Sequence, residues 1–187
     1  MTHAASIKTL KAYYNDRVSP IDPAELIAEL DGTSDRSTVV VLAAFIDDAI
    51  QFLIFSKMRP GLTETEHREA FRNEGPIGTF SAKIEIAYLF GYIENDLRLR
   101  LHALREMRNA CAHSRRAMSF KILALANVCK RFMNGAEFAP ENDTPESLRR
   151  GLIAECFFLF NVLIDSREQA VADLRASVER YKNGDLT

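Results

Sequence analysis

Residues 34–57 read SDRSTVVVLAAFIDDAIQFLIFSK, and they give the clearest indication of the architecture. Placed on a helix at about 100° per residue, the run is apolar on nearly every side. Only Asp47, Asp48 and Gln51 interrupt it, as a polar arc about 100° wide. Thr33 or Ser34 is suited to cap its N-terminus. A helix of this kind belongs in the middle of a helical bundle.

The rest of the chain also shows helical rather than alternating periodicity, and its six prolines fall where helices begin or loops run. We predict a short first helix through Ile7, Leu10 and Tyr14 and a second in PAELIAEL, which Asp22 caps. A capping box of Thr63 and Glu66 opens another helix in TETEHREAF. Four more helices are predicted over 81–93, 96–113, 120–132 and from Thr144 to about Tyr181. The sequence therefore predicts an all-α protein. We expect one domain over residues 1–187, a bundle of about seven helices with a long C-terminal helix over 144–182.

Composition excludes several classes of protein. The chain has 187 residues, is 47% hydrophobic and has a formal net charge of -2, which disfavours a basic protein that coats nucleic acid. Its three cysteines lack the spacing of a zinc site, so we expect them to be reduced and buried, with no metal and no cofactor.

Neither of the two longest apolar runs is expected to span a membrane. A helix needs about 20 apolar residues to cross a bilayer, whereas the runs over 38–46 and 152–164 are shorter and the second contains Glu155. The N-terminus also lacks the apolar core of a signal peptide. We therefore expect a cytoplasmic protein with no membrane partner.

Residues 97–113 carry the candidate site. On a helix, Leu97, Leu101, Leu104 and Cys111 form an apolar stripe, and Arg108 lies on the same line. A buried guanidinium needs a partner, so we expect Arg108 to meet a carboxylate, backbone carbonyls or a ligand. The candidate carboxylates in the sequence are Asp35, Asp47, Asp48 and Glu85.

The same segment contains residues suited to acid–base chemistry. His113 follows Arg108 by five positions, and Asn109 stands between them. A histidine exchanges protons near neutral pH, and an arginine stabilises the charge that develops on a phosphoryl group. The alternative is a structural role, in which Arg108 and Asn109 form a buried polar network while His113 caps the helix. We predict Asp47, Asp48, Lys83 and Glu85 as the other members of that network.

Lys83 and a basic segment complete the charge pattern. Lys83 falls in the first turn of its helix, where a cation opposes the helix dipole, so we expect it to pair with Asp47 or Asp48.

Residues 96–121 contain seven basic and two acidic side chains. Such a segment forms either a nucleic-acid-binding patch or a solvated helix face, and a nucleic-acid partner therefore stays open.

Several of these stretches resemble the mannitol-operon repressor family. They are SDRSTVVVLAAFIDDAI (34–50), GPIGTFSAKIEIAYLFGYI (75–93), LREMRNACAHS (104–114) and MSF (118–120). The resemblance covers residues 34–120. It implies an all-helical transcriptional regulator without a DNA-reading module.

Separately, Arg108-Asn109-x-x-x-His113 is similar to the Rx4–6H signature of the HEPN superfamily. That resemblance implies a metal-independent ribonuclease with two signatures facing each other in a dimer. Arg108, Asn109 and His113 would be its catalytic residues. An inert HEPN-like protein that binds without cutting stands between these two interpretations.

The sequence thus predicts a cytosolic regulatory protein that resembles mannitol-operon repressors and acts through protein contacts. We expect a homodimer with a regulatory protein partner. The alternative prediction is a HEPN-type endoribonuclease.

Overall fold

The structure is a computed structural model, and it describes residues 23–59, 61–72, 74–133 and 143–182. The side chains of the last helix are described as far as Asp165. These residues form seven helices and contain no strand, so the all-α prediction is confirmed for this part of the chain. The helices are α1 (Pro23–Leu30), α2 (Asp35–Lys57), α3 (Glu64–Phe71), α4 (Phe80–Leu89), α5 (Asn95–His113), α6 (Leu123–Phe132) and α7 (Pro145–Lys182). The helix predicted through Ile7, Leu10 and Tyr14, and the capping role predicted for Asp22, lie outside the described residues.

The chain separates into two compact units, Met1–Gly32 and Thr33–Thr187. The first contributes α1, after which Gly32 adopts a positive φ of 71°. The second contains the other six helices. The single domain predicted over residues 1–187 stays a prediction.

Helix α2 is the centre of the second unit, because it packs against α4, α5 and α7. Leu42, Ile46 and Ile50 have no exposed surface. Phe45 stacks on Phe160 of α7, with ring centroids 4.1 Å apart. The predicted N-cap is present, since the Ser37 N–H donates to Ser34 Oγ over 3.1 Å.

One helix among the described residues is long and apolar enough to cross a membrane, and it is α2, with a mean hydropathy of 2.0 over its most apolar window. Within that window, 56% of the residues are buried inside the fold. A helix buried in the core of a bundle also passes this test of length and apolarity.

Two helix boundaries differ from the prediction by three residues or more. Helix α4 ends at Leu89 rather than residue 93, because the chain turns directly after it. Gly91 adopts a φ of 71°, and the Tyr92 N–H donates back to Ala87 O over 2.8 Å. Helix α6 begins at Leu123 rather than residue 120. Residues 119–122 instead form a turn, in which the Ile122 N–H donates to Ser119 O over 3.0 Å, and the Phe120 N–H donates to Asp35 Oδ2 over 3.0 Å.

Gly75 lies against the end of α3, and we expect its replacement by alanine to destabilise the fold. A Cβ at this position would stand 2.3 Å from Glu69 O and 2.6 Å from Ala70 O, both of which are backbone atoms. Relief of that clash requires the backbone to shift, so Gly75→Ala should lower the free energy of unfolding by about 1–3 kcal/mol. Urea denaturation measures this change. Pro76→Ala, at the neighbouring exposed position, is the control, and equal stability of the two variants would contradict the packing argument.

Candidate functional site

A cleft of about 420 Å³ opens between α2, α5 and the loop that leads into α4. We call it the α2–α5 cleft. On the α2 side, it is lined by Val40, Ala43, Ala44 and Asp47. The small side chains of the two alanines leave the space that a larger residue would fill. The cleft lies entirely within the second unit of the chain.

The opposite side of the α2–α5 cleft is polar. Helix α5 contributes Arg105, Arg108 and Asn109, which share one face because they are three and four positions apart. The loop before α4 and the first residues of that helix, 78–81, close the site. Thr79 caps α4 by accepting from the Ala82 N–H over 3.1 Å, so the positive end of the helix dipole lies at this wall.

Arg108 is exposed, and the prediction that it is buried in a polar network is wrong. Its Nη1 donates to Asn109 Oδ1 over 3.1 Å. The buried face of α5 includes Arg100, Leu104 and Met107. In projection along the helix, at about 100° per residue, Arg108 falls between the buried Leu104 and Leu101. Its side chain is nevertheless exposed, and it borders the α2–α5 cleft.

The buried arginine of α5 is Arg100, which belongs to the basic segment 96–121. One of its terminal nitrogens pairs with Glu155 Oε1 of α7, and its Nε donates to Phe132 O over 2.8 Å. Glu155 has no exposed surface. The signal that could have found this ion pair is the single carboxylate within the apolar run 152–164, which needs a cation once it is buried.

Lys83 and Glu85 tie α4 to two different helices. Lys83 Nζ lies 2.8 Å from Asp47 Oδ1 of α2, which is one of the two pairings that the sequence predicts for it. Glu85 points instead to α5, where Arg98 donates over 3.1 Å and the His102 ring nitrogen lies 2.6 Å away. Hydrogen bonds from Arg98 and then His102 lower the pKa of Glu85.

The predicted network of five residues is therefore divided. Asp47 and Arg108 both line the α2–α5 cleft, and Lys83 reaches it only through Asp47. Glu85 belongs to the contact between α4 and α5. Asp48 is partly exposed and, like Glu85, is not among the described residues that line the cleft.

His113 is exposed at the end of α5, one turn beyond Asn109, and it is not among the described lining residues of the cleft. The segment after it is held by Arg36, whose Nη2 donates to Ser114 O over 3.0 Å and also to Arg116 O. Asp35, which the sequence offered as a partner for Arg108, instead accepts from Arg149 over 3.2 Å and from the Phe120 backbone. The structure thus brings Arg108 and Asn109 together and places His113 at the next turn.

The basic segment 96–121 is less positive in the folded protein than in the sequence. Arg98 pairs with Glu85, Arg100 with Glu155 and Arg105 with the neighbouring Glu106. The other basic residues of the segment are exposed: Arg108, Arg115, Arg116 and Lys121. Three of the seven cations are therefore neutralised within the chain.

The cysteines do not contribute to the site. Cys111, Cys129 and Cys156 are buried and reduced. Burial raises the pKa of Cys129 to about 12 and raises the pKa of Cys156 as well, so neither is a thiolate at neutral pH. No group of metal-binding side chains occurs among the described residues.

Comparison of the chain with protein-family models, with curated proteins and with solved structures finds no match. The functional argument therefore rests on the α2–α5 cleft and on the residues around it.

Proposed function

We propose that this chain is a cytosolic regulatory protein of the mannitol-operon-repressor type, which acts by binding partners rather than by catalysis. The observation that carries the proposal is the α2–α5 cleft, where exposed Arg108 and half-buried Asn109 stand beside Arg105 above a floor of apolar residues. An open cleft with a few convergent polar groups has the form of a recognition site.

The placement of His113 supports binding over catalysis. A general base must lie within hydrogen-bond reach of the group that it deprotonates. Arg108 and Asn109 face the α2–α5 cleft, whereas His113 is outside its described lining. A substrate seated in the cleft of one chain would therefore meet the arginines without the histidine.

Protein contacts, rather than direct reading of DNA, are the proposed means of regulation. The recognition helix of a DNA reader presents several side chains to base edges and phosphates. On α5, by contrast, Arg98 and Arg100 are already paired with Glu85 and Glu155. We expect the purified protein alone to lack nanomolar affinity for the control regions of the genes that it regulates, at physiological salt. Nanomolar binding in an electrophoretic mobility or fluorescence-anisotropy assay would contradict this mechanism.

A cytoplasmic location and a homodimer are parts of the proposal. Three buried, reduced cysteines favour a reducing compartment. The homodimer rests on the similarity of Arg108-Asn109-x-x-x-His113 to the HEPN signature, which works as two facing copies. Light scattering at micromolar concentration measures the oligomeric state.

A metal-independent endoribonuclease is the second candidate, and the exposure of the signature residues favours it. Arg108 and His113 are both accessible to a substrate, and Asn109 orients Arg108. In a dimer, two copies could complete a site in which His113 exchanges the proton of an RNA 2′-hydroxyl and Arg108 stabilises the phosphorane-like transition state. This candidate predicts that Arg108→Ala and His113→Ala fold normally and lose RNA cleavage.

A further inference from the structure

We propose that the α2–α5 cleft binds a phosphate monoester carried by a small ligand, with Arg105, Arg108 and Asn109 holding the phosphate. The inference rests on the proposed function, because it takes the cleft as a recognition site and names the chemistry that the site recognises. It goes beyond that function by specifying a small-molecule effector.

The first argument is the pair of arginines on one wall. Arg105 and Arg108 are three positions apart on α5, so their side chains are neighbours. Glu106 pairs with a terminal nitrogen of Arg105, which leaves Arg108 as the uncompensated charge of this wall among the described residues. A single carboxylate is satisfied by one guanidinium. A phosphate monoester carries nearly two negative charges and three acceptor oxygens at neutral pH, so it can bind Arg108 and accept at the same time from the remaining donors of Arg105.

The second argument is an unsatisfied donor in the cleft wall. Arg105 Nε is buried and has no hydrogen-bond partner in the described part of the chain, although a terminal nitrogen of the same side chain pairs with Glu106. A buried donor without an acceptor is costly. This nitrogen is closed to solvent in the conformation shown, whereas the Arg105 side chain as a whole is 28% exposed, so a ligand oxygen would supply that acceptor once the side chain turns toward the cleft.

The acidic residue of the cleft, Asp47, does not prevent an anion from binding there. Asp47 lines the site, but its Oδ1 lies 2.8 Å from the ammonium of Lys83, which neutralises it. Arg108 Nη1 is bonded only to the neutral amide of Asn109 within the described residues. The amide NH₂ of Asn109 and the hydroxyl of Ser81 are further donors on the lining.

The dimensions of the cleft indicate a small ligand. Its volume of about 420 Å³ lies within the range of small-molecule sites. Val40, Ala43 and Ala44 form an apolar floor beside the arginines. The phosphate would thus bind at the polar wall while the body of the ligand lies over that floor.

Phenyl phosphate is the probe for this inference, and its binding to the full chain is measured by isothermal titration calorimetry. We expect saturable binding by the wild type and a loss of affinity of about tenfold or more in Arg105→Gln and in Arg108→Gln, because each removes a charge-assisted contact. Arg115→Gln is the matched control, since Arg115 is an exposed arginine outside the described cleft lining, and its affinity should equal that of the wild type. Arg108→Lys keeps the charge but loses the planar fork, and we expect an intermediate affinity.

Three outcomes would overturn the inference. They are no binding of phenyl phosphate by the wild type, equal weakening in Arg108→Gln and Arg115→Gln, and tighter binding of benzoate or a single-stranded RNA oligonucleotide than of phenyl phosphate. Circular dichroism and urea denaturation establish that each variant is folded before it is titrated. If Arg108 is required for gene regulation while phenyl phosphate does not bind, the phosphate inference fails and the proposed function stands.

Discussion

Replacement of Glu155 by alanine should lower the free energy of unfolding by about 3–5 kcal/mol. Glu155 is fully buried, and its partner Arg100 is about one-tenth exposed, so the variant leaves a guanidinium inside the protein without its counter-charge. The Phe132 carbonyl accepts a hydrogen bond from Arg100 Nε only, so it does not replace the hydrogen bond and the charge that Glu155 supplies to the guanidinium. Chemical denaturation followed by circular dichroism measures the change.

Two further variants determine whether the effect comes from the unpaired charge. The double variant Arg100→Met/Glu155→Leu replaces both ions by apolar side chains, and it should recover most of the lost stability. Lys130→Ala removes the exposed Lys130–Asp143 ion pair, whose two charged atoms are 2.9 Å apart, and it should cost at most about 1 kcal/mol. A Glu155→Ala variant as stable as Lys130→Ala would contradict a buried pair between α5 and α7.

Reversal of charge at Arg108 should abolish the regulatory response while leaving the fold intact. Arg108→Glu places a carboxylate at the polar wall of the α2–α5 cleft, where the account places an anionic partner group. We expect partner affinity to fall by about tenfold or more. Because Arg108 is exposed, the free energy of unfolding should change by less than about 0.5 kcal/mol.

The measurement is the expression of the genes that respond to deletion of this protein, in cells that carry wild type, Arg108→Glu or Arg115→Glu at equal protein levels. Arg115→Glu makes the same charge change at another exposed arginine, which is not among the described lining residues, and it should regulate as the wild type does. A normal response in Arg108→Glu would exclude the α2–α5 cleft as the recognition site.

Local sequence signals predict the helices of this protein well. The Ser34 cap of α2, the capping box of Thr63 and Glu66 at α3, and the start of α7 at Pro145 each depend on residues within four positions of one another. The apolar character of α2 likewise indicates its central position before any contact is known.

Contacts between distant residues account for what the sequence did not predict. Arg100 and Glu155 are 55 positions apart, and Phe120 and Asp35 are 85 apart. No local pattern shows that these residues meet. The apolar stripe of α5 was accordingly centred too near Arg108, because Arg100 was counted as a surface residue although its ion pair allows it to be buried.

The α2–α5 cleft itself could be predicted only in part. The sequence drew attention to Asp47, Arg108 and Asn109, and the structure places all three at the cleft. Arg105 was missed as a site residue, because its role depends on the space that Ala43 and Ala44 leave on the facing helix. The separation of His113 from Arg108 follows from their spacing, since five positions along α5 are about 140° around the helix.

The most direct test of the account is an RNA-cleavage assay in EDTA, with wild type and His113→Ala matched for folding by circular dichroism. A panel of structured and single-stranded RNAs serves as substrate, and both proteins are assayed at the concentration where the dimer forms. If the protein acts by binding partners, neither the wild type nor His113→Ala cleaves any of the RNAs. Cleavage by the wild type that is lost in His113→Ala would contradict that mode of action and establish His113 as a catalytic residue of a metal-independent ribonuclease.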